Sequence, residues 1–306
     1  MRSQGKRLTV LVVGACALAL GVSACGGSSA ETSANATSTT AKVAADTTLA
    51  DQLPAKIRDA GVIKVASNVE YPPFEYFDTD NKTIIGLDRD LADAIGEKLG
   101  VELRFENIGF DTIIPSLEAK RYDMAMSAMT DNEERRAKVD FVDYFVSGGG
   151  FLVEKGNPNK VQTLDDICGM SVAVDKGTTN VADAQDQSKK CESAGKKAVD
   201  VQLFPGTNEI ILALQTGRVD LAMMDTSAGE YVAQQNAGKF EVPGKAYSPR
   251  PYGVVFPKGS QELAKAVAGA LEALVADGTY AEILDKWGQT AGSVDKITIN
   301  DGNGLS

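Results

Sequence analysis

The sequence contains no histidine among its 306 residues. This absence excludes serine–histidine and cysteine–histidine catalysis, and it removes imidazole both as a metal ligand and as a general base. The chain also lacks a P-loop signature, so any ATP hydrolysis coupled to its function needs a separate protein. The sequence therefore argues against most classes of hydrolase.

The N-terminal apolar run at residues 8–20 is too short to span a bilayer. It comes after Arg2, Lys6 and Arg7, an arrangement typical of a signal peptide. The sequence VSAC then ends at Cys25 and resembles the lipobox of bacterial lipoproteins, although a plain secretory signal ending in small residues is the alternative. We expect residues 1–24 to be a signal peptide and Cys25 to become a lipidated N-terminus at the outer face of the cytoplasmic membrane.

Residues 25–50 contain few large apolar side chains, so we expect a disordered tether and a folded body from residue 51 onward. The formal net charge is −11, and loss of the basic leader makes the body more acidic still. This charge argues against nucleic acid or an anionic lipid surface as a partner. The lipid alone should hold the protein at the membrane.

Cysteine is scarce in the body of the chain. Cys16 lies in the leader and Cys25 is the lipidation site, which leaves Cys168 and Cys191 as the candidates for pairing outside the cell. Neither belongs to a CxxC motif, and the lack of histidine weakens a metal site or a nucleophile as alternatives. We therefore predict a disulfide between Cys168 and Cys191.

The pattern of the body indicates strand–helix units. A helix is predicted from Asp88, a candidate N-cap, to Leu99, with Gly100 ending it and strands at 62–66 and 101–105 on either side. An internal repeat adds to this: LxxxRxDMAM at 117–126 recurs as LxxxRxDLAM at 214–223. Each copy predicts a helix, a tight turn and a buried strand, as expected of parallel α/β sheets.

Ligands of open parallel sheets bind beyond the carboxyl ends of the strands. In the two repeats, that position falls at residues 127–128 and 224–225. Two similar lobes that face each other across a cleft are the simplest interpretation.

We assign residues 51–148 and 252–306 to lobe 1 and residues 149–251 to lobe 2. The glycine-rich segment 147–150 and the segment PRPYG at 249–253 are the two expected hinge crossings.

Four sequence blocks in this order resemble the family 3 extracellular solute-binding proteins over about residues 53–287. The blocks are YPPF at 71–74, GLD at 86–88, FDxxIPxL at 110–117, and the segment 123–135. The resemblance implies an α/β, two-lobed periplasmic-binding-protein-like (type II) fold. It also implies a receptor that captures amino acids for an ABC importer.

Residue by residue, the resemblance places the ligand's α-carboxylate on the guanidinium of Arg135, assisted by Thr130 and by the segment Ser127–Ala128. A guanidinium offers a carboxylate two parallel donors and stays charged. Taken alone, residues 133–136 are a mixed-charge helix start, for which a solvated face is the alternative.

In the family, an aromatic residue on each face of the ligand matches Tyr71 and Phe110 here. A role in the hydrophobic core is the alternative for both residues.

From the second lobe, the resemblance assigns Thr178 and Thr179 to the carboxylate and Asp225 to the α-ammonium. Asn68 stands where receptors for basic amino acids have an aspartate, and this change favours a polar or neutral ligand. Three further charged residues leave the charge of the ligand's side chain undecided. Glu70 and Asp175 could restore negative charge to the pocket, and Arg250 could favour an acidic ligand.

The resulting hypothesis is a monomeric solute-binding lipoprotein that closes on its ligand by hinge motion and docks on the membrane subunits of an ABC permease. We expect no cofactor, no metal and no catalysis. The rival is an extracytoplasmic enzyme on the same fold, such as a cyclohexadienyl-type dehydratase, with Glu70 or Asp175 as general acid.

Overall fold

The computed structural model describes residues 47–302. The predicted signal peptide, Cys25 and most of the predicted tether lie outside the described residues. The folded body begins earlier than expected, because residues 47–50 already form a helix, and Leu49 packs against the main hydrophobic cluster. Within residues 47–302, no helix is long and apolar enough to cross a membrane.

Strands and helices alternate along most of the described chain. The strands are β1 (Val62–Ser67), β2 (Glu70–Tyr71), β3 (Glu75–Phe77), β4 (Ile84–Ile85), β5 (Glu102–Asn107), β6 (Met124–Ala125), β7 (Val139–Glu154), β8 (Ser171–Asp175), β9 (Asp200–Phe204), β10 (Leu221–Asp225), β11 (Phe240–Glu241), β12 (Tyr247–Pro257) and β13 (Thr298–Ile299). The α-helices are α1 (Thr47–Ala50), α2 (Ala55–Ala60), α3 (Leu87–Leu99), α4 (Ile113–Glu118), α5 (Glu133–Arg136), α6 (Thr179–Ser193), α7 (Thr207–Gln215), α8 (Thr226–Gln235), α9 (Gln261–Asp277) and α10 (Thr279–Lys286).

The main sheet has the order β5-β1-β6-β12-β7-β10-β8-β9. In the first strand group, β1 pairs in parallel with both β5 and β6. In the second strand group, β8 pairs in parallel with both β9 and β10. The long strands β7 and β12 run antiparallel to their neighbours and join the two groups. The fold is therefore α/β with a mostly parallel central sheet and flanking helices, as predicted.

The sequence repeat forms the same structure twice, as α4 with β6 and as α7 with β10. In the first copy, Oδ2 of Asp123 accepts the backbone N–H of Lys64 at 2.8 Å. In the second copy, Oδ2 of Asp220 accepts the backbone N–H of Ser171 at 2.7 Å. The repeated aspartate thus ties the start of its own strand to the start of the parallel neighbour.

Helix α3 begins at Leu87 and ends where predicted, with Gly100 in the left-handed conformation at φ 69°. The predicted role of Asp88 as N-cap is wrong. Gly86 occupies the cap position, and the side chain of Asp88 makes no capping bond because it points into the core, where it is fully buried. Leu91 and Ile95 share the buried face, and burial of such side chains stabilises the fold by roughly 2 kcal/mol each.

The hydrophobic core divides into clusters at β7 and β12. One pair of clusters joins the first strand group to α3, α4 and α9, and the other pair joins the second strand group to α6 and α7. The predicted hinge segments lie in paired strands, with Ser147 opposite Arg250 and Gly149 opposite Tyr247. A Cβ on Gly149 would lie 2.3 Å from Cζ of Tyr247, so a larger residue there would displace the tyrosine ring. The exact lobe boundaries and the bending at these segments stay predictions.

Candidate functional site

The ten residues that the sequence analysis assigned to the ligand all line one cavity, together with Asp175. The lining residues are Asn68, Tyr71, Phe110, Ser127, Ala128, Thr130, Arg135, Asp175, Thr178, Thr179 and Asp225. About 330 Å³ of space not occupied by atoms, part of it open to solvent, lies between these residues. Several of these residues lie at the carboxyl ends of parallel strands β1, β6, β8 and β10, where such sheets place their ligands.

Arg135 lies in the short helix α5, where its backbone N–H donates to the side chain of Asn132 at 2.9 Å. Its side chain is buried rather than solvated, so the residue is only 8% exposed. Nη1 donates to the carbonyl of Thr130 at 2.8 Å, and Nη2 donates to the carbonyl of Gly177 at 3.0 Å. Burial lowers the pKa of Arg135 to about 10, which leaves the guanidinium charged at neutral pH.

The two aromatic residues of the cavity have different neighbours. Phe110 contacts the arginine directly, since the guanidinium carbon of Arg135 lies 5.5 Å from the centre of its ring. Tyr71 belongs to both the core and the cavity. Its ring stacks on buried Phe74 with 6.0 Å between centroids, and it also lines the cavity.

The segment Ser127–Ala128 is fixed from behind by buried polar groups. Oγ of Ser127 accepts the backbone N–H of Asn68 and donates to Oε1 of Glu75, both at 3.0 Å. The backbone N–H of Ala128, a residue with φ 43°, donates to Oδ2 of Asp88 at 3.0 Å. These bonds hold the turn in a conformation that a non-glycine residue adopts at a cost.

Two carboxyl groups therefore lie side by side behind the site. Tyr144 donates to Oδ1 of Asp88 at 2.6 Å. Burial raises the pKa of Asp88 to about 6. Burial, together with repulsion from Asp88, raises the pKa of Glu75 well above its ordinary value. This support was not predicted from the sequence, because Asp88 belongs to a recognised block and Glu75 directly follows another, but their contact depends on how β3 meets α3.

Asp225 ends strand β10 and is 8% exposed. Its carboxylate accepts hydrogen bonds from the hydroxyl of Tyr252 and, at 3.1 Å, from the amide of Asn180. Tyr247 in turn donates to the amide oxygen of Asn180 at 3.1 Å. These partners orient the carboxylate. The sequence predicts Tyr252 only as part of a hinge segment, and its bond to Asp225 is an additional role.

Thr178 and Thr179 lie at the N-terminus of α6, which begins at Thr179. Oγ1 of Thr178 donates to the carbonyl of Asp175 at 2.7 Å and closes the turn. The free N–H groups and dipole of a helix N-terminus favour an anion.

Arg250 does not line this cavity; it borders a separate surface pocket beside Asp131 and Glu134.

The predicted pair Cys168 and Cys191 is disulfide-bonded in the structure, with 5.6 Å between the Cα atoms. The bond links the turn before β8 to helix α6. In residues 47–302, no three histidine, cysteine, aspartate or glutamate side chains are grouped to hold a metal ion.

Comparison with known proteins gives consistent matches. The profile of the bacterial extracellular solute-binding proteins, family 3, matches residues 63–290. The arginine-binding protein ArgT of Corynebacterium glutamicum is 32% identical over 250 residues, which cover 81% of each chain. The L-cystine-binding protein TcyJ of Escherichia coli is 30% identical, with 76% of this chain and 84% of that protein covered.

Solved structures agree with these relatives. An ancestral arginine-binding protein bound to arginine matches with a TM-score of 0.68 and 36% identity, over 74% of this chain and 98% of that one. An ancestral amino-acid-binding protein that is a precursor of cyclohexadienyl dehydratase matches with a TM-score of 0.69 and 31% identity, over 76% and 97% of the two chains.

Proposed function

The chain belongs to the bacterial extracellular solute-binding proteins of family 3, and on this premise we propose that its cavity binds a free α-amino acid for delivery to an ABC importer. One observation carries the proposal. Arg135 and Asp225 are both buried in the wall of one cavity, and none of the ion pairs within residues 47–302 includes either of them. Buried charges need partners, and a zwitterion supplies one of each sign.

The α-carboxylate of the ligand binds to the guanidinium of Arg135 and to the N–H groups at the start of α6. The α-ammonium binds to Asp225, whose carboxylate already has a fixed orientation. Tyr71 and Phe110 cover the aliphatic part of the ligand. Asn68 contributes a neutral amide to the wall, which by itself favours a polar or neutral side chain on the ligand.

Residues from both strand groups line the cavity, so ligand binding stabilises the arrangement in which lobes 1 and 2 are together. We place the hinge in β7 and β12, which carry the two chain crossings. The closed form docks on the membrane subunits of the permease. The protein acts as a monomer held by a lipid on Cys25 at the outer face of the cytoplasmic membrane.

The relatives support an amino acid as cargo, because the names of the matched proteins specify arginine and L-cystine as ligands. The ligands share the α-carboxylate and α-ammonium groups for which the cavity has partners. They differ in the side chain, which Arg135 and Asp225 do not contact in this binding mode.

The test is ligand binding by the full chain and by Arg135→Ala. The full chain is purified in detergent, freed of carried-over ligand by partial unfolding, and titrated calorimetrically with the proteinogenic amino acids. Removing one partner of a buried charge pair costs roughly 3–5 kcal/mol, so the affinity of the variant should fall by about two to three and a half powers of ten. The matched control is Arg104→Ala, since Arg104 is exposed and pairs with Glu102.

Unchanged affinity in Arg135→Ala would contradict the binding of the ligand's α-carboxylate to Arg135. If no amino acid binds and the chain instead turns over prephenate or arogenate, the dehydratase alternative replaces the receptor.

A further inference from the structure

Asp175 has a feature that the binding of the α-amino and α-carboxyl groups does not use. It ends strand β8, is 7% exposed, and lines the same cavity as Asn68 and Tyr71. Its Oδ1 atom is buried and has no hydrogen-bond partner within residues 47–302. Buried polar atoms are nearly always paired, so an unpaired carboxylate oxygen in a cavity wall indicates a partner that arrives with a ligand.

The cation next to Asp175 in the chain is paired with another carboxylate. Nζ of Lys176 pairs with Oδ2 of Asp111 at 2.7 Å, and no ion pair within residues 47–302 includes Asp175. The other charged groups around Asp175 are acidic. Burial first, and then Glu70, Asp111 and Glu209, raise the pKa of Asp175 to about 7. This end of the cavity therefore carries an excess of negative charge.

We propose that Oδ1 of Asp175 accepts a hydrogen bond from a cationic side chain of the ligand, so that the preferred ligands are basic α-amino acids. The proposal rests on the proposed function and adds the side-chain preference to it. Asn68 lacks the negative charge that receptors for basic amino acids carry at that position. Asp175 supplies that charge from the second strand group, which reverses the preference for a neutral ligand that Asn68 suggests.

The competing side chains fit this wall less well. A carboxylate would face Asp175 and its acidic neighbours, and like charges at short range repel. A neutral amide or urea can donate a hydrogen bond to Oδ1 but brings no positive charge. The decisive comparison is therefore between a cationic ligand and a neutral one of the same shape.

The first experiment measures the affinities of the purified full chain for L-arginine and L-citrulline by calorimetry. Citrulline replaces the guanidinium with a neutral urea of the same length. We expect L-arginine to bind at least tenfold more tightly. In Asp175→Asn, affinity for L-arginine should fall at least tenfold, while affinity for L-citrulline should stay within about threefold. The matched control, Asp186→Asn, changes an exposed aspartate on α6 that pairs with Lys189 and should alter neither value.

The second experiment is the pH dependence of L-arginine binding between pH 5.5 and 8. The cation binds to ionised Asp175, so ligand binding releases a proton wherever the free protein holds one. Affinity should rise with pH toward a plateau above the pKa of about 7, with a slope approaching tenfold per unit at the acid end. Glu70 interacts electrostatically with Asp175 and has a raised pKa of its own, so Asp175→Asn is needed to identify the group: it should flatten most of the slope.

The outcomes separate the two proposals. Tighter binding of a neutral amino acid than of L-arginine, dependent on Arg135 but not on Asp175, would overturn the side-chain assignment and leave the receptor intact. Equal affinity of the unmodified chain for L-arginine and L-citrulline would do the same. Loss of both ligands to the same extent in Asp175→Asn would show a general structural role and also overturn the assignment. Absence of any amino-acid binding would instead remove the proposed function itself.

Discussion

The first and second copies of the internal repeat share a scaffold but present opposite charges beyond their strands. After β6, the chain turns through Ser127 and Ala128 toward Arg135, a cation. Strand β10 instead ends directly on Asp225, an anion. At the opposite end of each strand, Asp123 and Asp220 make the same backbone bond to the neighbouring strand. The structural requirement thus lies at the start of the strand, which leaves its carboxyl end free to carry either charge.

The two copies also differ in how their strand ends are supported. The first copy depends on the buried carboxyl groups of Glu75 and Asp88, which hold the turn at Ser127–Ala128. The second copy depends on Asn180 and Tyr252, which hold the side chain of Asp225. A disulfide reinforces the second strand group alone within the described residues, through helix α6. Substitutions at these supports should therefore have unequal effects, and loss of the disulfide should have the largest.

Replacing Cys168 and Cys191 together by serine should lower the free energy of unfolding by about 3 kcal/mol, because the disulfide closes a loop across a separation of 23 residues. Denaturant unfolding measures the change, and hydrogen exchange should show greater loss of protection in α6 than in α3. Reductant should have no effect on the double variant, which serves as the control. A loss below about 1 kcal/mol would mean that the stability of the second strand group, like that of the first, does not depend on a disulfide.

Asp225→Asn should weaken amino-acid binding by roughly ten- to a hundredfold, since hydrogen bonds to charged groups contribute about 1.5–3 kcal/mol. The amide keeps the shape of the side chain and loses its charge, so calorimetry reports the ionic contribution of the second copy. Asp200→Asn, at an exposed position of β9, is the matched control. Equal affinity in the two variants would break the contrast between a cationic and an anionic strand end.

Asp88 should make stability depend on pH. Its pKa is raised from 3.8 to about 6, so the folded state holds a proton that the unfolded state releases between these values. Stability from this group is therefore complete below about pH 4 and is lost as pH rises through 6, at up to about 1.4 kcal/mol per pH unit. Unfolding of Asp88→Asn should show a shallower fall over that range than the unmodified chain. Asp59→Asn, on an exposed position of α2, should keep the original slope.

Asp123→Ala should cost about 1 kcal/mol of unfolding free energy, the contribution of one hydrogen bond, and Asp220→Ala about twice as much, because Oδ2 of Asp220 also accepts the hydroxyl of Ser171 at 2.8 Å. In a Ser171→Ala background, where only the shared backbone bond is left, the two costs should agree within roughly 0.5 kcal/mol, as judged by urea midpoints. Neither change should alter ligand affinity, since both residues lie at the far end of their strands. Unequal costs in the Ser171→Ala background would show that the two copies of the repeat are similar in sequence but not in energetics.

Local sequence patterns predicted most of the fold. Helix α3 has its apolar face and terminal glycine within a few neighbouring residues, so its extent was readable apart from one residue at the start. The repeat revealed both α4–β6 and α7–β10 because each unit is short and contiguous. Patterns of this range also identified the parallel strands whose ends form the cavity.

Other features depend on contacts between distant segments. Asp88 has the position and chemistry of a helix cap, but the Tyr144 hydroxyl and the Ala128 amide draw its side chain inward. The unpaired oxygen of Asp175 depends on which neighbours fail to reach it, and no sequence pattern records that. Tyr252 could be placed in a chain crossing, whereas its bond to Asp225 results from the register of β12.

Tyr252 gives the crossing strand a second role. Its backbone forms a bridge with Thr130, and its hydroxyl bonds to Asp225, so a single residue spans the cationic and anionic walls of the cavity. A change in the position of β12 at Tyr252 should therefore affect Thr130 and Asp225 together. If Asp225 binds an ammonium group as proposed, Tyr252 connects that contact to the backbone of β12.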